Sequence, residues 1–319
     1  MNTTTTTAVD SLPADNVEDY RLVGLISLIF TIISVMISTL ILILVWRTKP
    51  RLHTVNHLLI CNTAFASIFY CVTLKNNFAY VIFGQWDTSD VSCRFRAYFA
   101  YSGIAGVLYS YLIQAISRFF FSVLSINHRY LTSFTTHYIL IACQWIVVFL
   151  VTTPSILTTD INFYPHVFCW VPMNHMLHVV YTISVYYIIP VTVIIIIYIC
   201  IYIQVKRAGI NTTVASRSSQ KRDLELLRRI MMLLSIYLTT GILTVLFIVT
   251  SSRLIYFASL VWPSVCVTIE KLCTILLDRE IYQVIQAKMD RVPCVSRFRR
   301  QIVPVSGRQD IQVTRQLNI

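Results

Sequence analysis

Apolar positions in this chain come in long runs set off by charges, and the gaps between charges outline its elements. Between Arg21 and Arg47 lie 25 uncharged residues, LVGLISLIFTIISVMISTLILILVW. A bilayer's hydrocarbon core of about 30 Å needs roughly 20 apolar residues as a helix, so this run predicts one spanning helix. Residues 55–74, 97–117 and 138–159 predict three more. No Lys, Arg, Asp or Glu falls between Asp160 and Lys206, which leaves room for an outer loop and a fifth helix near 177–203. Residues 230–252 predict a sixth, and 254–277 a seventh whose apolar run is broken by Glu270 and Lys271 alone. The predicted fold is an all-α membrane protein, a bundle of seven transmembrane helices.

Composition agrees with this and excludes other classes. The 319 residues are 56 % hydrophobic and 13 % charged, against roughly 25 % charged in soluble proteins, so too few charges exist to cover a water-exposed surface. A net charge of +12 would by itself suit a nucleic-acid binder, but such proteins carry their basic residues over a soluble surface. With the amino terminus outside, the inner segments hold 20 of the 26 basic residues and six of the 14 acidic ones, a net +14, and everything else sums to −2. Basic residues in short loops mark the cytoplasm. The expected arrangement is a multi-pass plasma-membrane protein with an extracellular tail at 1–21, the bundle at 22–277 and a cytoplasmic segment at 278–319, with lipid and not nucleic acid as its surroundings.

The opening residues lack a basic region followed by an apolar one, so no cleaved signal is expected and the first helix serves as the insertion signal. Asn2-Thr3-Thr4 is a glycosylation acceptor by pattern; Asn211-Thr212-Thr213 also matches but lies on the inner side. No internal repeat of the kind that builds inverted-repeat transporters is visible. No metal-spaced cluster, nucleophile elbow or phosphate loop occurs, so neither an enzyme nor a cofactor is expected.

Landmarks in these spans carry a resemblance. Cys93 opens the third span and Arg118 closes it 25 residues later in Ser117-Arg118-Phe119. Trp86 precedes Cys93 by seven residues, Trp145 and Pro154 stand in the fourth span, and Cys169 lies in the second outer loop. Pro190 and Tyr198 are eight apart in the fifth, and Asp278-Arg279-Glu280-Ile281-Tyr282 follows the seventh. Over roughly residues 22–291 the chain resembles a divergent rhodopsin-type (class A) G-protein-coupled receptor. The resemblance implies a short amphipathic eighth helix, a Cys93–Cys169 disulfide, as expected for two cysteines on the oxidising face, and coupling to a heterotrimeric G protein. It makes Arg118 the residue that holds an inner acid in the inactive state and meets the G protein in the active one, with Asp223 and Glu225 at the base of helix six as candidate partners. A basic residue snorkelling at the end of a span is the simpler reading of Arg118. Ser117 replaces the usual neighbouring acid, so Arg118 is expected to be held less tightly and basal signalling to be raised.

Other positions depart from the family. Its first-helix Asn falls at Thr39, its sodium-binding second-helix Asp at Ser67, and its sixth-helix Cys-Trp-x-Pro at Gly241-Ile242-Leu243-Thr244. Its seventh-helix Asn-Pro-x-x-Tyr becomes Glu270-Lys271-Leu272-Cys273-Thr274. Each intramembrane charge costs about 2.5–3.5 kcal/mol on insertion scales, so such residues are paired or functional. Neighbours on a helix point about 100° apart, so Glu270 and Lys271 are not expected to face one partner. Two readings stand: a cation or proton site at Thr39, Ser67 and Glu270, or a protonated Glu270 beside a Lys271 that snorkels inward. The retinal-binding Lys of opsins corresponds to Ser264, which leaves Lys271 too deep for that role.

By register, the ligand pocket is expected at Lys75, Asn76, Tyr101, Ile104, Tyr186, Val249, Leu260 and Ser264. Ala100 stands where amine receptors carry their Asp, which disfavours an amine, and the mixed charge of Asp87, Asp90 and Asp160 against Lys75, Arg94, Arg96 and Arg253 at the mouth suits a peptide or small polar ligand. Basic residues around Cys294 suit an anionic leaflet and a palmitoylation site. The alternatives to a signalling receptor are a seven-helix channel or transporter lined by Glu270 and Lys271, and a receptor-like protein that has lost coupling.

Overall fold

The computed structural model describes residues 17–48, 52–83, 89–124, 129–158, 160–163, 169–171, 175–208, 214–250 and 252–289. Seven helices in it are long and apolar enough to cross a membrane. They are α1 (Val17–Arg47), α2 (Val55–Phe83), α3 (Asp90–Phe119), α4 (Phe134–Thr152), α5 (Met176–Ile183 running on to Ile189–Ala208), α6 (Val214–Thr250) and α7 (Arg253–Leu277). An eighth, α8 (Arg279–Met289), follows after one residue. Several elements outrun the predicted spans. α6 has 37 residues, about 55 Å at 1.5 Å per residue, so it extends beyond a hydrocarbon core of about 30 Å.

The bundle is patterned for lipid. In α1 the buried positions include Ser27, Thr31, Ser34, Ser38, Ile41 and Val45, steps of three and four that lie along one helix face. Small residues there let backbones approach, as spanning helices require where no water drives association. Large apolar side chains such as Met36 and Leu150 point outward. α3 runs through the centre, packed against α2, α4, α5 and α6. Its Gly103 lies so close to α2 that a Cβ would sit 2.8 Å from Tyr70 Cα.

Breaks in the helices have local causes. Between the two parts of α5, Ser184–Ile188 form a widened turn in which the Ile189 N–H reaches the Ser184 carbonyl, five residues back. Pro190 follows at once; it has no N–H and its ring crowds the carbonyl four residues earlier, and a wide turn relieves both. Ser133 caps α4 through the Thr136 N–H. Pro154 begins a separate turn, Pro154–Leu157, after Thr153.

On the other side of the bundle, Asp278 starts α8: its Oδ1 accepts from the N–H groups of Glu280 and Ile281, both at 3.1 Å, the two donors an N-cap carboxylate satisfies. Ile281 and Val284 then bury against Ile41, Leu44, Val45 and Ala64 of α1 and α2. At the opposite end a two-residue hairpin, β1 (Asn162–Phe163) antiparallel to β2 (Cys169–Trp170), lies over α3.

Candidate functional site

The two intramembrane charges meet each other. Glu270 and Lys271 are both 1 % exposed, and Lys271 Nζ lies 2.9 Å from Glu270 Oε2 and 3.2 Å from Oε1. The expectation that helix neighbours face different partners fails because the lysine stem is long enough to bend its ammonium back across the 100° between them. The snorkelling alternative fails with it, since Lys271 is enclosed.

Polar groups of α2, α3, α6 and α7 reach this pair. Tyr111 of α3 donates to Glu270 Oε1 at 2.5 Å and Tyr237 of α6 to Oε2 at 3.4 Å, their rings 5.8 Å apart. The Thr274 hydroxyl bonds Glu270 O at 2.9 Å and lies 3.2 Å from Oε1. Lys271 Nζ also donates to the Thr63 carbonyl of α2 at 3.4 Å. That carbonyl accepts the Ser67 hydroxyl at 3.0 Å as well. One ion pair therefore ties α2, α3, α6 and α7. Full satisfaction matters, because a buried pair that loses one member leaves an uncompensated charge, a cost of about 3–5 kcal/mol.

Toward the α8 end of the bundle the pair borders a cavity of about 40 Å³, enough for about three or four waters at roughly 10–15 Å³ each. Tyr111, Gln114, Arg118, Glu270, Lys271 and Asp278 are among the residues lining it. Gln114 Nε2 donates to the Thr63 hydroxyl at 2.6 Å. Arg118, 7 % exposed, donates through Nη2 to Asn56 Oδ1 and lies 6.0 Å from the Phe121 ring. It is turned into the bundle, and the simpler reading of an outward-snorkelling arginine does not describe it. The side chains of its predicted partners Asp223 and Glu225 lie outside the described residues.

Ser117, in place of an acid, bonds His137 of α4, with Oγ 2.8 Å from Nε2. His137 Nδ1 is 2.8 Å from the Ser133 carbonyl, which can only accept; in the neutral ring Nδ1 carries the proton and Nε2 accepts from Ser117. The same ring stacks on Phe121 at 5.7 Å, so Phe121 has Arg118 on one side and His137 on another. Phe119 is half-buried at the edge of the core, together with Tyr198. At the start of α8, His57 Nε2 lies 3.7 Å from both Asp278 and Glu280.

At the end of the bundle away from α8, Cys93 and Cys169 form a disulfide with Cα atoms 5.3 Å apart, fixing the hairpin to α3. Asp160 nearby contacts His178 at 3.1 Å and His175 at 3.3 Å. The hydrogen bond from His178, with the charge of both rings, holds its carboxyl below the usual value.

A family model described as the 7 transmembrane receptor (rhodopsin family) matches residues 38–289, from within α1 to the end of α8. The chain belongs to the rhodopsin family of seven-transmembrane receptors. Over 130 residues the receptor is 27 % identical to a neuromedin-K receptor of Cavia porcellus, a match covering 40 % of this chain and 29 % of that one.

Within the receptor, the sequence-predicted positions fall into three groups. Ser67, Glu270 and Lys271 come together as described. Tyr101, Ile104 and Tyr186 converge under the hairpin, the two tyrosine rings 5.9 Å apart. Lys75 donates to Ser27 Oγ, which lies 2.6 Å from Ser264 Oγ, while Leu260 packs against the central core and Pro190 is buried. Three positions turn away. Thr39 is exposed on the lipid side of α1, since its neighbour Ser38 takes the inward register. Val249 is 76 % exposed, and Asn76 is exposed one residue past Lys75. Asn2, Trp86 and Cys294 lie outside the described residues. Sequence reasoning missed Asn56, Tyr111, Gln114, His137 and Tyr237. The signal that could have found them is that a charged pair inside a span needs polar partners from other spans at the same depth.

Proposed function

We propose that this receptor couples an extracellular ligand to a heterotrimeric G protein across the plasma membrane, with its amino terminus outside, its bundle at 22–277 and its cytoplasmic segment at 278–319. Glu270 carries the reading. It is bonded at once to α3 through Tyr111 and to α6 through Tyr237, and it shares a cavity with Arg118. Outward movement of the inner end of α6 requires Tyr237 to leave the carboxylate, and the cavity then opens toward the cytoplasm with Arg118 inside it. A ligand drives this only through a difference in its affinity for the two bundle states.

The ligand reading is a peptide or small polar molecule that enters under the Cys93–Cys169 hairpin toward Tyr101, Ile104 and Tyr186. The likeness to a receptor named for neuromedin K supports a signalling role over a channel or transporter, as does the enclosure of Glu270 and Lys271, which a permeation path would have to wet. Loss of coupling is the alternative that experiment must exclude. The test is nucleotide exchange on a panel of purified G proteins by membranes carrying the receptor without added ligand. Exchange on at least one G protein, abolished by Arg118→Ala at equal surface expression, supports coupling; exchange no different from empty membranes across the panel, with or without candidate ligands, refutes it.

A further inference from the structure

We propose that Lys271 is a tethered cation that takes the place of a free sodium ion at the centre of the bundle, so that this receptor does not respond to sodium. The family resemblance implies a sodium ion held by an α2 acid, and the residues present do not fit one. The α2 position is Ser67, which brings no charge and whose hydroxyl is engaged with the Thr63 carbonyl. The acid stands instead on α7, and both of its oxygens already face an ammonium.

The count of donors and acceptors agrees. An ammonium has three N–H donors, and Lys271 Nζ has three oxygens within 3.4 Å: Glu270 Oε2 at 2.9 Å, Glu270 Oε1 at 3.2 Å and the Thr63 carbonyl at 3.4 Å. The pair is neutral as a unit. A sodium ion added beside it would leave a net positive charge in an enclosed site of low dielectric, where an uncompensated charge is strongly disfavoured. Charge, more than space, excludes the ion. A side-chain cation also cannot dissociate, so the α2–α7 contact through Thr63 persists whatever the salt outside, and only helix movement can break it.

The test is thermal unfolding of the purified full-length receptor in sodium chloride and in N-methylglucamine chloride at equal ionic strength, which requires neither ligand nor G protein and so stands or falls apart from coupling. The wild type is expected to unfold at the same temperature in both salts. Lys271→Ala leaves the Glu270 carboxylate and the Thr63 carbonyl without their cation, and sodium is expected to raise its midpoint by several degrees; Lys271→Ala/Glu270→Gln is expected to lose that response. Sodium-dependent stabilisation of the wild type, or a Lys271→Ala variant indifferent to sodium, overturns the proposal. If Lys271→Ala gives no folded protein in either salt, the ²³Na line width of the wild type decides. No broadening beyond that of the same sample after unfolding supports the tethered cation, and excess broadening refutes it.

Discussion

Tyr237 of α6 and Glu270 of α7 share a hydrogen bond of 3.4 Å in the buried centre of the bundle, on a carboxylate whose other oxygen is held by Tyr111 of α3 at 2.5 Å. The acid thus joins α6, whose movement the proposed coupling requires, to the central α3. Its charge is supportable there because Lys271 neutralises it within the same helix.

The ion pair is expected to behave as one unit. Glu270→Gln leaves a buried ammonium and Lys271→Met a buried carboxylate, and each is expected to cost about 3–5 kcal/mol. The double variant Glu270→Gln/Lys271→Met removes both charges and should lose less than either single change. Thermal unfolding of the three proteins in detergent measures this; strictly additive losses would show that the two charges act separately.

Two glycines should respond oppositely to alanine. At Gly103 the new Cβ would stand 2.8 Å from the Tyr70 backbone and 2.9 Å from Thr73 Oγ1, so α2 and α3 must part, an overpacking cost of about 1–3 kcal/mol. At Gly241 nothing lies within 4 Å, and replacing a helix-interior glycine gains up to about 1 kcal/mol. Unfolding midpoints should therefore fall for Gly103→Ala and hold or rise for Gly241→Ala. The second variant also stiffens α6 in mid-span, and a lower ligand-independent activity is expected of it.

How much of this could be read beforehand depended on what each feature rests on. The spans follow from runs of uncharged residues, which a linear chain displays, whereas the Cys93–Cys169 pairing and the inward Arg118 follow from the family resemblance, the residues alone reading Arg118 as snorkelling outward. Thr39 went astray because the inward face of α1 turns on a single residue, about 100° of helix, and only the packed positions Ser34, Ser38 and Ile41 fix it. The contact between Glu270 and Lys271 depends on a side-chain path. Tyr111, Tyr237 and Asn56 lie in spans where a lone Tyr or Asn reads as packing, and only the meeting of four helices makes them partners of a charge.

Acid should weaken the contact of Asp160 with His175 and His178. Its carboxyl is held below the ordinary 3.8 first by the hydrogen bond from His178 and further by His175. A depressed carboxylate contributes stability that is complete above the ordinary value and is lost as pH falls through the folded-state value. The difference in unfolding midpoint between the wild type and Asp160→Asn is therefore expected to be present at neutral pH and to shrink below about pH 4. A difference that grows below about pH 4 would reverse the assignment.

Cys93→Ser should release the hairpin from α3. The bridge spans 76 residues, and removing a native disulfide costs about 2–5 kcal/mol. Lower surface expression and weaker ligand binding are expected, checked by surface immunolabelling and radioligand saturation once a ligand is known; unchanged binding by the variant would show that the hairpin does not shape the entrance.

The most direct measurement of the account is ligand-independent nucleotide exchange on the coupled G protein by Tyr237→Phe. This change deletes one hydroxyl, which bonds the Glu270 carboxylate and also meets the Ser67 side chain of α2, and leaves the ring against Tyr111 in place. Several-fold higher basal exchange than the wild type at equal surface expression is the predicted result. Exchange equal to or below the wild type would contradict the claim that Glu270 holds α6 in the inactive bundle.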